Sequence, residues 1–318
     1  MKIEVKNLVR QFGAQRAVDD ISFSFESGNI FGFIGPNGAG KTTTIRMMVS
    51  LDLPDAGDIY YDGVSAVTYP DQIHRIIGYM PDSLPEYRDI TVWEYLDFFA
   101  RAYGLKGEKR TKTIQYIEEF TNLGELREKI LHTLSKGMKQ RVSLARALIH
   151  NPEVLIMDEP AAGLDPRARL EFRELLKIFA GQKKAVFLSS HILSELQDMC
   201  DGAVIIERGK ILSAGKIEDL LTHADKSRDA QMPLAVQIQQ LDEANAAKIC
   251  LYGKELPFVL SIEPQGGHIV ANLDGNDEKL VAELLTHLAK KNCLIVNYQI
   301  NKASLEQIFM EITRGLVQ

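Results

Sequence analysis

The chain has 318 residues, of which 45% are hydrophobic and 25% charged, a composition typical of a soluble globular protein with one large or two medium domains. Its 37 basic and 43 acidic residues leave a net charge of −6, so we expect no general attraction for nucleic acid. No apolar stretch is long enough to cross a membrane, and we expect no signal peptide, so any path through a bilayer must come from another polypeptide.

Strand-like and helix-like stretches alternate over residues 1–221. The strand candidates are runs of mainly apolar residues, typical of strands covered on both faces: Ile30–Ile34, Val154–Met157 and 185–189. The helix candidates are residues 42–51, 92–103 and 137–150. This alternation predicts an α/β domain with a mostly parallel core sheet.

Between about 84 and 134 the pattern is nearly all helical, which predicts a helical insert or subdomain. Several aromatic residues of this insert have helical spacing, so we expect them in its core: Trp93, Tyr95, Phe98 and Phe99.

A polar stretch at residues 222–232, THADKSRDAQM, has the composition of a linker. After it, residues 233–318 contain predicted strands at 234–239, 258–263, 269–273 and 293–300, and predicted helices at 242–251 and 276–291. A turn is expected at 264–267 and a last helix near 303–314. The order βαββαβ is the split-βαβ pattern, so we predict a small C-terminal α+β domain.

A glycine-rich loop follows the predicted apolar strand Ile30–Ile34. It matches the pattern GxxxxGK[ST] at every defined position: Gly35, Pro36, Asn37, Gly38, Ala39, Gly40, Lys41 and Thr42. Glycine at positions 35 and 40 lets the backbone curl so that N–H groups point to one centre, beside the partial positive charge of a helix N-terminus. Lys41 can reach the β- and γ-phosphates of a nucleotide, and the Thr42 hydroxyl can bind Mg²⁺. An accidental turn is the alternative, but a chance match is expected only about 1% of the time.

Two carboxylates stand at the end of the apolar strand Val154–Met157. Neighbouring strand residues point to opposite sides, so Asp158 and Glu159 need different roles. Asp158 suits Mg²⁺ or its waters, and Glu159 is then close enough to orient and deprotonate an attacking water. Taken alone, the pair is better explained as a solvated strand end; beside a matched phosphate loop, the catalytic interpretation is favoured. His191 follows another apolar strand and is a candidate γ-phosphate contact, although a lone histidine there is more often structural.

Further short motifs stand in fixed order around the loop and the acids: Phe12, LSKGMKQR at residues 134–141, and AGLD at residues 162–165. Together these motifs resemble those of the ABC ATPases, the nucleotide-binding subunits of ABC transporters, over residues 1 to about 220. The resemblance implies a P-loop NTPase fold that binds ATP, with Phe12 stacked on adenine and residues 35–42 together with Thr43 around the phosphates. It also implies catalysis by Glu159, His191 and Lys41, and magnesium binding by Thr42, Asp82 and Asp158.

In the family, the signature sequence of one protomer closes over the ATP held by the other. The matching residues here are Ser135, Lys136, Gly137 and Met138, and Asp165 belongs to the adjoining D-loop. Ser135 is also predicted to cap its own helix, which is compatible with contacting a phosphate. Because the chain carries one phosphate loop and one signature, two complete sites require two copies related by a twofold axis.

Three features depart from the family's pattern. Asp82 stands where the family has the Q-loop glutamine, and a shorter carboxylate there can still meet Mg²⁺ or its water. Lys136 and Met138 replace a glycine and a glutamine of the signature, and Ala161 and Ala162 replace small polar residues before the D-loop. None of these changes removes a catalytic group.

The forms SKGMKQR, SSHILSE and SLEQIFMEIT most resemble the ATPase subunits of exporters whose membrane subunit is a separate chain. The resemblance therefore implies a nucleotide-dependent homodimer that drives separate transmembrane permease subunits from the cytoplasmic face of the membrane. A cytosolic location also fits the three cysteines, Cys200, Cys250 and Cys293, which form no CxxC pair and are expected to be reduced.

Two alternative functions stay open. The first is a non-transport ABC ATPase acting on ribosomes or DNA, although the chain has neither a second cassette nor a long coiled coil and is acidic. The second is a cassette that binds nucleotide only as a regulatory partner. The C-terminal domain is expected to hold a dimer together or to sense a regulator.

Overall fold

The structure, a computed structural model, describes residues 1–84, 87–192, 196, 199–217, 219–220, 234–240, 242–275 and 277–300. These residues belong to two compact units, one that runs from Met1 to Leu220 and one described from 234 to 300. The predicted linker 222–232 and the predicted helix 303–314 lie outside the described residues. No described helix combines the length and the hydropathy needed to span a bilayer.

The first unit contains most of the secondary structure. In chain order its elements are β1 (Lys2–Phe12), β2 (Gln15–Glu26), β3 (Ile30–Ile34), α1 (Lys41–Met48), β4 (Ala56–Tyr61), β5 (Val64–Ser65), α2 (Pro70–Ile76), β6 (Ile77–Met80), α3 (Val92–Ala102), α4 (Gly107–Phe120), α5 (Lys136–Leu148), β7 (Val154–Met157), α6 (Pro166–Gly181), β8 (Ala185–Ser190), β9 (Gly202–Glu207) and β10 (Lys210–Lys216). Two short 3-10 turns, Gly124–Leu126 and Leu131–Thr133, lie between α4 and α5.

The central sheet of the first unit has the strand order β10-β9-β3-β8-β7-β6. Four of its pairings are parallel and only β9 and β10 pair antiparallel, so the predicted mostly parallel sheet is confirmed. Every residue of β7 and β8 is buried, as expected for strands covered on both faces. The carboxyl ends of the parallel strands therefore meet at one edge of the sheet.

A second, antiparallel sheet in the order β2-β1-β4-β5 was not predicted. Its two long strands alternate buried and exposed residues over much of their length, so they lack the continuous apolar runs that mark the strands of the central sheet. The sheet packs on the central one through aromatic rings: the ring centres of Phe23 and Phe187 lie 5.6 Å apart. The first unit thus has two sheets around one core.

Helix α1 ends three residues before the predicted end at residue 51. Ser50 has a left-handed backbone with φ 55°, its N–H donates to the Met47 carbonyl at 3.0 Å, and the Leu51 N–H donates to the Arg46 carbonyl at 2.9 Å. This is a Schellman closure, which ends a helix and satisfies its last carbonyls.

Within the predicted insert, α3 begins at a capping box in which Thr91 and Glu94 exchange hydrogen bonds. Tyr95 is buried, and Trp93 and Phe99 are partly buried. The expectation that Phe98 lies in the core was wrong, because its side chain is 64% exposed. It projects from the side of α3 away from the buried stripe formed by Val92, Leu96 and Ala100.

The second unit contains β11 (Leu234–Gln240), α7 (Glu243–Gly253), β12 (Val259–Gln265), β13 (His268–Leu273), α8 (Glu278–Lys290) and β14 (Ile295–Ile300). The element order is the predicted βαββαβ, and the sheet order β12-β13-β11-β14 is fully antiparallel. Gly266 and Gly267 both have positive φ, as a two-residue hairpin turn requires. The core lies between the sheet and the two helices.

Candidate active site

The glycine-rich loop joins β3 to α1, as predicted. A Cβ on Gly35 would lie 2.2 Å from the Ile206 carbonyl oxygen, and a Cβ on Gly40 would lie 2.5 Å from the Ala17 carbonyl oxygen. Gly40 also has φ 107°, a conformation that other residues rarely adopt. Both glycines are therefore required by close backbone contacts on the two sides of the loop.

The amino end of α1 is suited to an anion. Gly40 is its N-cap, so no side chain accepts a hydrogen bond from the first turn, and that turn contains no acidic residue. The first N–H groups of a helix have no partner inside the helix and carry partial positive charge. Asn37, Gly38 and Thr42 are exposed, so a phosphate can approach the loop from solvent. These features fit a bound phosphate group.

The ammonium group of Lys41 is held at the centre of the loop. Its Nζ atom donates to the carbonyl oxygens of Gly35 at 2.7 Å and Pro36 at 3.2 Å. The same atom lies 3.4 Å from Oε1 of Glu159, and the lysine side chain is only 6% exposed. Exchange of one carbonyl for a phosphate oxygen would keep this charge satisfied at the loop.

The two predicted acids follow β7 and have different surroundings. Asp158 is buried, its N–H donates to the Met80 carbonyl at 2.8 Å, and its Oδ1 accepts a hydrogen bond from Ser189 Oγ at 2.5 Å. Glu159 has a left-handed backbone with φ 48°, which is unusual for a residue other than glycine. Its N–H donates to the same Ser189 Oγ at 2.9 Å.

The side chain of Glu159 lies between two predicted site residues. Oε2 is 2.8 Å from Nδ1 of His191, while Oε1 faces Lys41. The structure therefore brings Lys41, Glu159 and His191 together, although their positions in the sequence are far apart. A carboxylate placed between a cation and an imidazole is able to accept a proton from a water molecule beside the loop.

The residues predicted to bind Mg²⁺ are an exposed hydroxyl in the first turn of α1 (Thr42), the buried Asp158, and Asp82, an exposed carboxylate two residues beyond β6. Within the part of the chain that the structure describes, no three His, Cys, Asp or Glu side chains are grouped as a metal site. Because Mg²⁺ is commonly held by one or two carboxylates together with substrate phosphates, Thr42 and Asp158 have suitable oxygen donors for it. The Asp82 carbonyl accepts a hydrogen bond from Gln140 Nε2 at 3.4 Å.

Burial raises the pKa of Tyr79 to about 12, and the negative charges of Asp158 and Asp82 contribute to the shift in the same direction. The Tyr79 hydroxyl therefore stays protonated at neutral pH.

The signature residues precede and begin α5. Ser135 is the N-cap of that helix and accepts a hydrogen bond from the Met138 N–H at 3.4 Å, as predicted for a capping residue. Lys136 extends over the loop before α6, since a Cβ on Gly163 would lie 2.7 Å from its Nζ. Asp165 caps α6 by accepting from the Ala168 N–H at 2.9 Å. Among the described residues, no hydrogen bond joins this group to Lys41 or Glu159.

Phe12 ends β1 and is half exposed, with the Arg10 guanidinium 4.9 Å from its ring centre. It pairs with Gln15 across the hairpin, two residues before Ala17, whose carbonyl touches the loop at Gly40. The ring is thus exposed near the strand segment that flanks the phosphate loop.

Ser189 is the site residue that sequence reasoning missed. In the sequence it is one of two serines before His191, and nothing there distinguishes it from Ser190. Only the parallel pairing of β7 with β8 places its hydroxyl between the two acids.

Comparison with known proteins gives a consistent result. A family model described as ABC transporter matches residues 18–162. The Nod factor export ATP-binding protein I of Ralstonia nicotianae is 32% identical over 98% of this chain and 93% of its own length. The linearmycin resistance ATP-binding protein LnrL of Bacillus subtilis is 30% identical over 98% of both chains.

Among solved structures, the ATP-binding subunit of an ABC transporter superposes with a TM-score of 0.64. It is 31% identical, and the match covers 71% of this chain and 94% of that one. The chain therefore belongs to the family of ABC transporter ATP-binding proteins and is an ATP-hydrolysing subunit of an ABC transporter.

Proposed function

We propose that the chain hydrolyses Mg-ATP as a homodimer at the cytoplasmic face of a membrane and drives export through separate permease subunits. The observation that carries the proposal is the position of the Glu159 carboxylate, 3.4 Å from Lys41 on one side and 2.8 Å from His191 on the other. The names of two relatives, a Nod factor exporter subunit and a linearmycin resistance subunit, support export as the direction of transport.

In this proposal the nucleotide is bound by the loop and by one aromatic ring. The N–H groups of residues 35–43 surround the phosphates, and the Lys41 ammonium neutralises charge on the β- and γ-phosphates. Phe12, which is half exposed, stacks on the adenine. Magnesium, when bound, supplies charge that neutralises the phosphate oxygens, and Thr42, Asp158 and Asp82 are the residues that would hold it or its waters.

The chemical step is an in-line attack of water on the γ-phosphorus. As the oxygen of the water bonds to phosphorus, Glu159 accepts the proton that the water loses. The bond from phosphorus to the bridging oxygen breaks, which leaves ADP. His191, hydrogen-bonded to Glu159, orients that carboxylate and contacts the γ-phosphate. Lys41 stabilises the charge that develops on the oxygens of the transferred group.

The second copy completes each site. Ser135, Lys136, Gly137 and Met138 of one protomer would contact the ATP bound to the loop of the other, and Asp165 lies at the adjoining D-loop. The exposed hydroxyl of Ser135 at the amino end of α5 is suited to a phosphate oxygen. A twofold dimer then contains two complete sites.

Mixing two inactive variants tests this arrangement. Ser135→Arg blocks the signature but leaves Lys41 intact, and Lys41→Ala disables the loop but leaves Ser135 intact. In a mixed dimer, one site combines the intact loop of the first chain with the intact signature of the second. An equal mixture should regain up to about a quarter of wild-type ATP hydrolysis, because half of the dimers are mixed and each has one intact site.

The control for this mixture is each variant alone at the same total concentration. Light scattering with and without Mg-ATP reports the dimer directly. Phosphate release in the mixture that equals the average of the two separate variants, with a monomer in all conditions, would overturn the proposed dimer.

A surface of the first unit is suited to a membrane partner. Phe98 and Tyr103 are exposed on and just after α3, and they stand near a groove of about 350 Å³ that Tyr79, Phe99 and Arg146 help to line. Exposed aromatic residues beside a groove are typical of protein interaction sites. We assign this surface to a helix of the permease.

Phe98→Glu tests that assignment in cells that contain the permease. The variant should lose its association with the membrane fraction while the purified chain keeps its ATP hydrolysis. Tyr116→Glu is the control, since it alters another exposed ring of the same helical region. Co-sedimentation of the wild type with ribosomes instead of membranes would favour the non-transport alternative.

The second unit, predicted as residues 233–318, is proposed to pair with its copy. Its open sheet face carries uncharged polar pairs that hold each other in place: Gln299 Nε2 donates to Gln237 Oε1 at 3.1 Å, and Asn272 Nδ2 donates to Ser261 Oγ at 2.8 Å. Gln237→Arg should reduce the dimer fraction measured by light scattering without nucleotide. An unchanged mass would instead leave the sensing of a regulator as the proposed role.

A further inference from the structure

Ser189 occupies the space between the two acids of the site. It lies in β8 with no exposed surface, and Asp158 is equally buried in the neighbouring position after β7. The single hydroxyl of Ser189 donates to Asp158 Oδ1 at 2.5 Å and accepts from the Glu159 N–H at 2.9 Å. One side chain therefore contacts the proposed metal ligand and the backbone of the proposed base.

The local backbone explains why this hydroxyl is needed. The Asp158 N–H points to β6 and donates to the Met80 carbonyl, so the next N–H, that of Glu159, points to the opposite side, where β8 lies. Glu159 leaves the regular strand with φ 48°, and its N–H meets the Ser189 hydroxyl in place of a backbone carbonyl. A buried N–H without a partner is strongly unfavourable, so the hydroxyl stabilises the bend that turns Glu159 toward Lys41.

The same hydroxyl also restricts Asp158. Because its one proton is directed to Oδ1, the carboxylate cannot rotate freely, and among the described residues Oδ2 receives no side-chain hydrogen bond that would compete with a metal ion or its waters. Ser190 cannot replace it, since the Ser190 hydroxyl accepts from the Ile192 N–H on the far side of the turn.

We propose that Ser189 is the positioning residue of the acid pair, which fixes Asp158 for Mg²⁺ and Glu159 for the attacking water at the same time. The inference rests on the proposed function, because it assigns Ser189 to the metal and the base named there. It also links the Asp158 carboxylate to the backbone of Glu159 through a single oxygen atom. Hydrogen bonds from such outer positions typically affect metal affinity or activity by about 10- to 100-fold.

Ser189→Ala in the full-length protein tests the proposal. ATP affinity measured by calorimetry in EDTA should stay within about twofold of wild type, because Lys41 and the loop are unchanged. The increase in ATP affinity that Mg²⁺ produces should fall by about tenfold or more, and kcat should fall by about 10- to 100-fold. Mn²⁺ binding in the presence of a non-hydrolysable ATP analogue, followed by electron paramagnetic resonance, gives the same comparison without turnover.

Two further variants separate positioning from loss of folding. Ser189→Thr keeps the hydroxyl and should recover most of the Mg²⁺ effect that Ser189→Ala loses. Ser143→Ala makes the same change at an equally buried serine of α5 whose hydroxyl has no hydrogen-bond partner among the described residues, and it should leave both affinities and kcat as in wild type.

The proposal is overturned if Ser189→Ala binds Mg-ATP and turns over within about twofold of wild type, or if Ser143→Ala loses as much as Ser189→Ala. Either result leaves the proposed function intact, because wild type still shows Mg²⁺-dependent hydrolysis. A wild-type chain with no Mg²⁺-dependent binding or hydrolysis would instead overturn the proposed function together with this inference.

Discussion

The two units of the chain differ in what they bury. The first unit buries a set of polar and charged side chains that includes Lys41, Asp158 and Ser189, whereas Asn245 is the only buried polar residue in the described part of the second unit. Asn245 has a structural task, since its side chain accepts from the Leu294 N–H at 3.0 Å. Both units are helices packed on a sheet, so the difference does not come from the kind of secondary structure.

The direction of the strands explains the difference. In the first unit the parallel strands end at one edge, where the phosphate loop, the two acids and His191 follow β3, β7 and β8. In the antiparallel sheet of the second unit, successive strands end at opposite edges, so polar side chains spread over the open face as local pairs such as Gln237 with Gln299. Charged side chains can come together and be buried where several strands end at the same edge. The amount of sheet does not determine this.

The largest expected effect is the loss of hydrolysis when the partly buried charge of Glu159 is removed from that edge. Glu159→Gln should keep ATP binding but lower turnover by about 10²- to 10⁴-fold, because the amide cannot accept the proton of the attacking water. Steady-state phosphate release and equilibrium ATP titration measure the two quantities separately.

Glu118→Gln is the matched control, since Glu118 is a buried carboxylate of the first unit that pairs with Arg127 in the helical region. It should hydrolyse ATP at a rate near wild type. Near-normal hydrolysis by Glu159→Gln would show that Glu159 is not the base for the attacking water. The contrast between the two units would then no longer reflect catalysis.

An apolar truncation in the second unit should have a large effect on stability and none on chemistry. Leu284→Ala removes a side chain that is fully buried in the second core and should lower the free energy of unfolding of that unit by about 2–5 kcal/mol. Thermal or urea unfolding followed together with ATP titration checks both parts.

The neighbouring Leu285 is 37% exposed, so Leu285→Ala should change stability much less. If Leu284→Ala weakened ATP binding as strongly as it weakened the second unit, the two units would not be separable in function.

The fold was predictable wherever one pattern decided it. Runs of buried residues identified β3 and β7 with the observed ends, and the βαββαβ order of the second unit followed from alternating patterns and paired glycines. The antiparallel sheet of β1 and β2 was not predicted because its strands alternate buried and exposed residues and contain no continuous apolar run. Phe98 was misplaced because spacing alone does not say which side of α3 is covered.

The candidate site was predictable in its residues but not in its contacts. The phosphate loop, Asp158, Glu159 and His191 are named by local motifs, and the structure places them at one sheet edge. Ser189 could not be predicted, since its role depends on a parallel pairing between strands that are about thirty residues apart. Long-range register of this kind is not encoded in a local pattern.

The next largest expected effect is a loss of ATP affinity. Lys41→Ala should weaken ATP binding by about 10- to 100-fold, because hydrogen bonds from a charged donor typically contribute about 1.5–3 kcal/mol. Lys184→Ala is the matched control: this lysine is also buried in the first unit, but its Nζ donates to the Pro152 carbonyl at 2.7 Å, away from the loop. It should lower stability and leave ATP affinity unchanged. Equal losses of affinity in both variants would show that burial of a lysine, and not its place at the strand ends, determines binding.

The smallest expected effect is on the pH dependence of the first unit's stability. It tests whether a titratable side chain away from the candidate active site also contributes. Burial lowers the pKa of His150. Its Nε2 is 2.9 Å from the Ile77 carbonyl, and its Nδ1 is buried without a hydrogen-bond partner in the described part of the chain. The neutral ring is thus favoured in the folded chain, so protonation of the unfolded chain should reduce the stability of the first unit as pH falls below about 6.5.

Unfolding measured between pH 7 and pH 5 checks this contribution, which one group limits to about 1.4 kcal/mol per pH unit. His150→Gln can still donate to the Ile77 carbonyl but does not titrate, so its stability should fall less steeply with acid than that of wild type. His132→Gln changes an exposed histidine and should follow the wild-type curve. An unchanged slope in His150→Gln would mean that acid acts on the first unit through its other titratable groups and not through this buried ring nitrogen.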